Sequence, residues 1–459
     1  MARRQDNKGK TISQFVSGRK KLKALLVGDH RDSLNWGGRG QSIALHQLLR
    51  KRFEISGVIP GISVVSPEAV DGYVRTILPQ TYFRFLVRAR NKVKVADWYL
   101  KIEELFGAKD FVTDEPTESA EYVLRYKSTS KGLAEIYDLV INADAVVING
   151  EGSGIFRTPY RRDFFFYLMM IELAVRLGKA AFYVNGIISD CPFTGRNSKN
   201  FNSARMTLKK CAAVLVRDQK SLEYLAREMP EVKCHYIPDA LFTWYPLYEG
   251  SALNLPANGD FVIAPPEQDE YFGKLDFSRP YICMGGSSWA AEYQEKSVDS
   301  YLLLLEGLRK LGYPVYITEN CGGDRFLKEV AKRSGAGLVP LNTPILTAGA
   351  ILANARLFVS GRFHPTIMAT LGGTPCIFLE AHSHKMASLR EVIGYEGRRP
   401  FSALPSENEI GEILDLAQRY LEQGNTLRDR LRQRAMILCE EASQLVDYIV
   451  SRAETTYKA

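Results

Sequence analysis

The sequence predicts an α/β fold of two doubly wound, Rossmann-like domains that face each other across a cleft. Short apolar or β-branched runs alternate with helical patterns along most of the chain, which is typical of parallel α/β construction. The length of 459 residues exceeds what one hydrophobic core organises, and a proline-rich stretch separates two such series. Apolar and charged residues make up 46% and 24% of the chain, so the composition is that of an ordinary globular protein.

The first series of alternating elements spans residues 21–240. Strands are predicted at Lys23–Val27, Phe53–Ile59, Ala145–Ile148, Ala180–Val184, Ala213–Val216 and Cys234–Ile237. Helices are predicted at Gln41–Lys51, Tyr160–Arg176 and Lys220–Arg227. Residues 66–130 carry mixed charge with weak periodicity, and we expect an irregular helical insertion there.

A second series follows a linker predicted at residues 241–278, which contains Pro246, Pro256, Pro265 and Pro266. Within residues 279–404 the predicted strands are Tyr281–Met284, Val315–Thr318, Gly337–Val339, Leu357–Val359 and Cys376–Leu379, and the predicted helices are Val298–Leu311, Arg325–Ser334 and Ala348–Ala353. Residues 405–459 are expected to form helices at Glu407–Gln423 and Thr426–Arg452 that can cross back to the first domain. This order predicts a glycosyltransferase-B-like architecture with its active cleft between the carboxyl-end faces of the two sheets.

Positive charge is concentrated at the start of the chain. The formal net charge is +8, and residues 1–23 contain eight basic residues against one acidic residue. We therefore predict a basic, flexible leader at residues 1–20 that either contacts anionic lipid headgroups or stays solvated. The chain has no nucleic-acid-binding motif, so no nucleic-acid partner is expected.

The cysteines and the apolar segments indicate the cellular compartment in which we expect the protein. Seven cysteines are scattered without a C-x-x-C pair, which favours a reducing cytoplasm over a disulfide framework. The most apolar segment, Phe164–Ile171, is far shorter than the roughly 20 residues that a bilayer span needs. We expect a cytoplasmic protein whose contact with the inner face of the plasma membrane is at most peripheral.

The most informative segment, Ser360-Gly361-Arg362-Phe363-His364, follows the predicted strand Leu357–Val359 directly. Open α/β sheets bind ligands at the carboxyl ends of their strands. Arg362 offers a fork of donors that suits phosphate or carboxylate, and His364 can exchange a proton near neutral pH. A helix is predicted to begin at Pro365, and its free N–H groups would add positive potential. The alternatives are a structural ion pair for Arg362 and a helix cap for His364.

Two glycine-containing loops also follow predicted strands. In Gly150-Glu151-Gly152-Ser153-Gly154, alternate glycines let backbone N–H groups approach an anion or a sugar closely. Glu151 is either a base toward an acceptor hydroxyl or a plain surface carboxylate. Gly285-Gly286-Ser287-Ser288 is a second candidate anion loop, and an ordinary turn with a helix cap is its alternative.

Further cations follow other strands. Arg217 lies between a strand and Asp218, which we expect to cap the next helix; a surface Arg217–Asp218 pair is the alternative. His384 and Lys385 are placed to reach the same pocket. A metal cluster of these residues with His364 is not expected, because nearby carboxylates and i, i+4 spacing are lacking. Five large aromatic residues are candidates either for stacking on a sugar ring or for ordinary packing. They are Trp36, Tyr160, Phe164, Tyr183 and Trp289.

The segments that follow the predicted strands resemble the sequence motifs of the polysaccharide pyruvyltransferases. The family pattern Ser-x-Arg-x-His, followed by Gly-x-Pro and a downstream Lys, appears as Ser360, Arg362, His364, Gly373-Thr374-Pro375 and Lys385, with Phe363 where the family often has Leu. Weaker agreements in the first domain are Gly28-Asp29, the polar loop 35–40, the loop 150–154, Arg217-Asp218 and Pro238-Asp239. Together these cover roughly residues 20–400.

The resemblance implies transfer of a pyruvyl unit from phosphoenolpyruvate to two hydroxyls of a sugar, which forms a cyclic ketal and releases phosphate. It also implies that the second domain holds phosphoenolpyruvate and that the first holds a sugar of a surface polysaccharide or its lipid-linked precursor. The sequence lacks the Asp-x-Asp pattern of metal-dependent sugar-nucleotide transfer, so we expect no divalent ion and no other cofactor. The expected catalytic residues are His364 and Arg362. The expected substrate-binding residues are Arg217, Gly150, Glu151, Gly152, Ser153, Gly285, Ser287, Ser288, Ser360 and Lys385.

Two other functions remain open at this point. A sugar-nucleotide-dependent glycosyltransferase of the same architecture would use Arg362 and the loop Gly285–Ser288 for the diphosphate. A non-catalytic carbohydrate-binding protein would keep the fold without needing Arg362 and His364.

Overall fold

The computed structural model describes residues 21–66, 69–70, 74–75, 109–248, 275–397 and 399–456. The leader predicted at residues 1–20 lies outside the described residues. So do most of the predicted linker and much of the insertion predicted at residues 66–130. The boundaries of the domains therefore stay predictions.

The first domain is built on a parallel sheet covered by helices. Its strands are β1 (Leu22–Asp29), β2 (Phe53–Pro60), β3 (Val74–Arg75), β4 (Lys109–Asp110), β5 (Ala145–Asn149), β6 (Gly154–Phe156), β7 (Ala180–Gly186), β8 (Ile188–Asp190), β9 (Ala213–Val216) and β10 (Cys234–Tyr236). Its helices are α1 (Trp36–Arg52), α2 (Gly61–Val65), α3 (Pro116–Tyr126), α4 (Lys131–Ile141), α5 (Arg162–Arg176), α6 (Ser198–Leu208), α7 (Gln219–Glu228) and α8 (Tyr245–Tyr248). Six parallel strands lie in the order β10-β9-β7-β5-β1-β2. All six predicted strands overlap these observed ones.

The second domain repeats this construction. Its strands are β11 (Ile282–Ser287), β12 (Val315–Thr318), β13 (Leu338–Val339), β14 (Leu357–Gly361) and β15 (Cys376–Phe378), and its helices are α9 (Gln294–Arg309), α10 (Phe326–Ser334), α11 (Ile345–Asn354), α12 (Phe363–Leu371) and α13 (Lys385–Ile393). The five strands are parallel and lie in the order β13-β12-β11-β14-β15. The predicted strands again match.

The strands are recognisable in the sequence because helices bury both faces of each sheet. Every residue of β5 and of β7 is buried, so these strands appear as continuous apolar runs rather than as alternating patterns. Helix α1 begins where the side chain of Asn35 accepts hydrogen bonds from the backbone N–H groups of Gly37 and Gly38. This cap places the helix start directly after β1.

Each sheet has one point where the strand order reverses. In the first sheet the chain passes from β1 to β2 on one side and later returns to β5 on the other side of β1. In the second sheet β11 separates β12 from β14 in the same way. Loops that leave such neighbouring strands in opposite directions open a crevice, which is where ligands bind in this class of fold.

The C-terminal helices α14 (Glu407–Ser443) and α15 (Leu445–Thr456) return to the first domain, as predicted. Gly424, with φ +51°, interrupts α14 near the predicted break between the two helices. Asp447 of α15 pairs with Arg52, and the ring of Tyr448 lies 4.9 Å from that of His235. None of the helices in the described part of the chain combines the length and the apolar character needed to cross a bilayer.

The domains are also joined beside the crevice. The backbone N–H of Trp36 donates to the carbonyl of Asn320 (3.0 Å), and its indole N–H donates to the carbonyl of Leu341 (2.9 Å). At the start of the predicted linker, Trp244 and Tyr248 are buried in the same apolar core. The two sheets therefore share one core across their interface.

One element boundary differs from the prediction. Helix α12 begins at Phe363, with Arg362 at its N-cap, so Pro365 is the third helical residue rather than the first. The first-turn N–H groups have no helical partner in any case, and proline there loses no hydrogen bond. His364 therefore lies within the first turn of α12.

Candidate functional site

A cavity of about 280 Å³ lies where the carboxyl ends of the two sheets face each other. Its walls come from the loops after β1, β5, β9, β11, β12, β14 and β15. The residues expected from the sequence that line it are Gly150, Glu151, Gly152, Ser153, Arg217, Ser288, Arg362, His364 and Lys385. The fold therefore brings together most of the residues singled out above.

Three side chains from the two domains meet at one point of this cavity. Nη1 of Arg217 lies 2.9 Å from Oδ2 of Asp239 and 2.8 Å from Nε2 of His364. Oδ2 of Asp239 lies 3.3 Å from the same Nε2. Burial alone would raise the pKa of Asp239, but the neighbouring His364 and Arg217 lower it to about 2. The carboxylate thus stays ionised and holds the other two side chains in place.

The surface pair considered for Arg217 is wrong. Arg217 is buried, pairs with Asp239 and packs over the ring of Phe363 at 4.1 Å. Asp218 instead caps α7 by accepting from the backbone N–H of Ser221, as predicted. The two adjacent side chains thus have different partners, although both residues lie between the end of β9 at Val216 and the start of α7 at Gln219.

Arg362 is both ion-paired and exposed to the cavity. Its Nε and Nη2 donate to Oδ1 of the buried Asp324 at 3.1 Å and 2.6 Å. Burial opposes the charge, but Asp324 raises the pKa of Arg362 and keeps the guanidinium positive. The pair orients Arg362 while its guanidinium lines the cavity. The two alternatives weighed for this residue are thus compatible.

Lys385 lies in the same cavity, close to several cationic side chains. Burial, followed by the nearby Arg362, Arg217 and Arg161, lowers the pKa of its ammonium to about 7. In the part of the chain that the structure describes, no carboxylate forms an ion pair with it. Burial, followed by the nearby Lys385, Arg362, Arg157 and Arg161, lowers the pKa of His382 to about 4. The cavity is therefore electropositive and suited to an anion.

The glycine loop after β5 forms the opposite wall. Glu151 has φ +43°, in the left-handed region that a non-glycine residue seldom adopts. Its Oε1 is buried, lies 3.9 Å from Nε2 of His30, and has no hydrogen-bond partner among the described residues. The hydroxyl of Ser153 donates to the carbonyl of Gly150 at 2.5 Å, so it stabilises the loop. A strained backbone that holds a carboxylate oxygen without a hydrogen bond is typical of a functional position.

Three of the expected binding residues support the cavity rather than line it. Ser287 donates to the carbonyl of Glu380 (2.6 Å), and Ser360 donates to the carbonyl of Gly286 (3.0 Å). At Gly285, a Cβ atom would lie 2.6 Å from Oδ1 of Asn320, so this glycine gives Asn320 room. These residues are turned inward because the strand ends that carry them pack against each other.

His384 also lies outside the cavity lining. Its Nε2 lies 3.0 Å from Oδ1 of Asp218 and 3.2 Å from the hydroxyl of Ser221, so it joins α13 to the cap of α7. The expectation that it reaches the pocket with Lys385 is wrong for His384. In the described ranges, no group of three or more His, Cys, Asp or Glu side chains is arranged to hold a metal ion.

The structure adds lining residues that were not predicted, among them His30, Arg161 and Asn320. His30 follows β1, and Asn320 follows β12 by two residues, so the strand-end argument used for Arg362 would have found both. Arg161 lies on a loop before α5 and donates to the carbonyl of Gly152 at 3.0 Å. Its position depends on tertiary packing alone.

Several polar atoms in the lining have no hydrogen-bond partner among the described residues. They are Nε of Arg217, Oε1 of Glu151, and both Oδ1 and Nδ2 of Asn320. Leaving such a group unpaired in a buried place costs about 1–3 kcal/mol. An anionic ligand would accept hydrogen bonds from Nε of Arg217 and Nδ2 of Asn320, and a ligand hydroxyl would donate to Oε1 of Glu151 and Oδ1 of Asn320. The cavity therefore has the chemistry of a site for a small anion beside a hydroxyl-bearing molecule.

Comparison with solved structures confirms the predicted fold class. UDP-GlcNAc 2-epimerase from Neisseria meningitidis, bound to UDP-GlcNAc, is similar over 94% of this chain and 100% of its own, with a TM-score of 0.54 and 9% identity. Arabidopsis thaliana UGT89C1, in complex with UDP-L-rhamnose, is similar over 95% of this chain and 100% of its own, with a TM-score of 0.50 and 10% identity. At these identities the likeness concerns the fold alone.

Comparisons of sequence are more specific. No curated protein matches the chain. The model of the family described as polysaccharide pyruvyl transferase matches residues 40–383, which is more than half of the chain. The matched region contains most of the cavity-lining residues of both domains, whereas His30, Asn35, Gly37, Gly38 and Lys385 lie just outside it.

Proposed function

Since the chain belongs to the polysaccharide pyruvyl transferase family, we propose that it transfers a pyruvyl group from phosphoenolpyruvate to two hydroxyls of a sugar. The product is a cyclic pyruvate ketal, and phosphate leaves. The observation that carries this proposal is the electropositive cavity in which Arg217, Arg362 and Lys385 lie beside His364.

The charges of the cavity complement those of phosphoenolpyruvate. The donor carries a phosphate and a carboxylate, and it therefore needs at least two cationic anchors. Arg362 is held in a fixed orientation by Asp324, and a guanidinium fork suits either anion. Lys385 adds a compact charge that an incoming anion would stabilise. The N-terminal turn of α12, which begins at Phe363, contributes further positive potential.

The reaction requires two proton movements from the sugar hydroxyls. A proton adds to the methylene carbon of the donor, and the first hydroxyl bonds to the neighbouring carbon as it loses its own proton. The bond from that carbon to the phosphate oxygen then breaks, and the second hydroxyl bonds to the same carbon. Of the two protons lost by the hydroxyls, one corresponds to the proton gained by the new methyl group. The other leaves as part of hydrogen phosphate.

Two groups in the cavity are suited to move these protons. His364 is held through Nε2 by Asp239 and Arg217, so its ring is fixed for proton transfer on the donor side. Glu151 lies beside His30 on the first domain, which is the side proposed for the acceptor. We assign Glu151 as the base toward an acceptor hydroxyl, because its buried Oε1 has no hydrogen-bond partner among the described residues.

The decisive experiment is a calorimetric titration with phosphoenolpyruvate. Removing Arg362 alone would leave Asp324 buried and uncompensated, so the test variant is Arg362→Gln/Asp324→Asn. Loss of one charge-assisted anchor, worth about 1.5–3 kcal/mol, is expected to weaken binding about 10- to 150-fold. The matched control is the exposed pair Arg333→Gln/Asp299→Asn, whose affinity should equal that of the wild type.

The same titration separates this proposal from its competitors. Binding of UDP-glucose or UDP-GlcNAc with no binding of phosphoenolpyruvate would point to a nucleotide-sugar transferase. An unchanged affinity in Arg362→Gln/Asp324→Asn would refute the assigned site. Phosphate release that requires both phosphoenolpyruvate and a sugar acceptor would complete the support.

We also propose that the acceptor is a surface polysaccharide or its lipid-linked precursor, and that the protein works in the cytoplasm at the inner membrane face. The support is the family and the basic residues 1–23. Full-length protein should sediment with vesicles containing anionic lipid, and a variant without residues 2–20 should not. Equal sedimentation of the two proteins would reject the membrane contact.

A further inference from the structure

A cluster of aromatic side chains lies on the surface beside the cavity, outside the groups assigned above. The rings of Phe193 and Trp289 are 4.1 Å apart and nearly perpendicular. Phe193 is 47% exposed and Tyr293 is 44% exposed. Exposed aromatic residues grouped in this way are unfavourable in water, and they commonly mark a ligand-binding surface.

The surface has a shape that accepts a ligand. Trp289 and Tyr293 line an open groove of about 230 Å³ together with Lys296, Ser402 and Leu404. The groove therefore combines apolar faces with an ammonium and a hydroxyl. Flat rings beside hydrogen-bonding groups suit a pyranose, which has one apolar face of C–H groups and a rim of hydroxyls.

The groove lies next to the cavity, because consecutive residues line the two. Ser288, the residue before Trp289, lines the cavity, and the ring of Phe193 lies 6.4 Å from that of His382, another lining residue. A cavity of about 280 Å³ that holds the donor leaves little room for more than the reacting sugar. The remaining rings of an acceptor chain have to lie outside it, and this groove is lined by residues next to those of the cavity.

The backbone holds the aromatic residues in place from both domains. Phe193 is at the tip of a tight turn closed by the Cys191–Gly195 bridge, in which Gly195 has φ +69°. The backbone N–H of Trp289 donates to the hydroxyl of Ser287 at 3.1 Å. The aromatic pair therefore forms only where the two domains meet, beside the closed cavity.

We propose that Phe193, Trp289 and Tyr293 form a subsite for a pyranose ring of the acceptor glycan next to the sugar that receives the pyruvyl group. This assignment rests on the proposed function. It predicts that the protein prefers an oligosaccharide to the corresponding monosaccharide, because the additional ring stacks on this surface.

The test compares binding of mono- and tetrasaccharides by calorimetry without phosphoenolpyruvate. The probes are glucose with cellotetraose, and galactose with β-1,4-galactotetraose. At least one tetrasaccharide should bind the wild type at least 10-fold more tightly than its monosaccharide. Phe193→Ala and Tyr293→Ala should each remove most of that gain, while Leu303→Ala, which removes an exposed apolar side chain elsewhere on α9, should keep it.

The outcomes of these titrations test the aromatic subsite independently of the proposed phosphoenolpyruvate site. A chain-length gain that survives in Phe193→Ala/Tyr293→Ala overturns the subsite, as does the absence of any gain with both pairs of sugars. Thermal unfolding midpoints equal to that of Leu303→Ala exclude misfolding as the cause of a loss. Because the titrations contain no phosphoenolpyruvate, failure of the donor assignment would leave their result unchanged.

Discussion

Nη1 of Arg217 lies 2.8 Å from Nε2 of His364, and this contact joins the end of β9 in one domain to the first turn of α12 in the other. Oδ2 of Asp239 approaches both atoms, at 2.9 Å and 3.3 Å. A guanidinium can only donate, so His364 accepts through Nε2 when it is neutral and can donate to Asp239 when protonated. The contact between the domains thus joins a guanidinium, a carboxylate and an imidazole.

Asp239→Asn should destabilise the protein most near neutral pH. It leaves Arg217 buried without its carboxylate, which costs about 3–5 kcal/mol. The pKa of Asp239 is depressed from 3.8 to about 2, so its stabilising contribution is complete above about pH 4 and is lost as the pH falls through about 2. The loss in the free energy of unfolding caused by Asp239→Asn should therefore be about 2 kcal/mol smaller in acid than at neutral pH.

Urea unfolding of the wild type and Asp239→Asn from pH 2 to pH 7 measures this change. Asp299→Asn, at an exposed carboxylate, is the control and should cost less than about 1 kcal/mol throughout. A penalty for Asp239→Asn that stays constant with pH would contradict the coupling of Asp239 to its cationic partners.

Binding of phosphoenolpyruvate should take up a proton through Lys385. In the free protein its pKa is about 7, so at pH 8 the amine is mostly neutral. A bound anion raises that pKa, and up to about one proton enters from the buffer. Calorimetry in HEPES and in Tris, which differ in ionisation enthalpy, reports the number of protons.

Lys385→Met should abolish this uptake and weaken binding, whereas Lys310→Met, at an exposed lysine, should change neither. Proton uptake that persists in Lys385→Met would assign it to another group.

Glu151→Gln should slow turnover without weakening donor binding. Loss of a general base lowers a rate by about 10²- to 10⁴-fold, while the amide keeps the size of the carboxylate. Phosphate release with a sugar acceptor measures the rate, and calorimetry measures the affinity for phosphoenolpyruvate. Glu306→Gln, on the exposed face of α9, should leave both unchanged. A variant with full turnover would remove Glu151 from the mechanism.

Gly37→Ala should impair the site while leaving the fold intact. A Cβ atom at residue 37 would lie 2.6 Å from Nδ1 of His364, so the imidazole would have to move. Alanine is otherwise favoured over glycine in a helix by about 1 kcal/mol, and the free energy of unfolding should fall little. Turnover should drop at least 10-fold. Gly411→Ala, at a helical glycine with open space around it, should retain wild-type turnover.

The predictable part of the site lies at strand ends. Arg217, Glu151 and Arg362 directly follow buried apolar runs, and the carboxyl ends of parallel strands meet at one edge of a sheet. Asn320 could have been found by the same rule. Gly285, Ser287 and Ser360 also lie at strand ends, yet they contact their own sheet rather than the cavity. The direction that a residue at a strand end faces depends on tertiary neighbours, which the local sequence does not specify.

The sequence by itself determined the two series of strands and helices and the Arg-x-His segment of the second domain. Strands that are buried on both faces appear as continuous apolar runs, and polar functional residues follow directly after them. Both features can be recognised within a few consecutive residues of the sequence. Only the tertiary structure decided that Asp239 and Asp324 hold the two arginines and that Phe193 reaches Trp289. These partners are separated by tens of residues or more, so only the packing of the two domains brings them together.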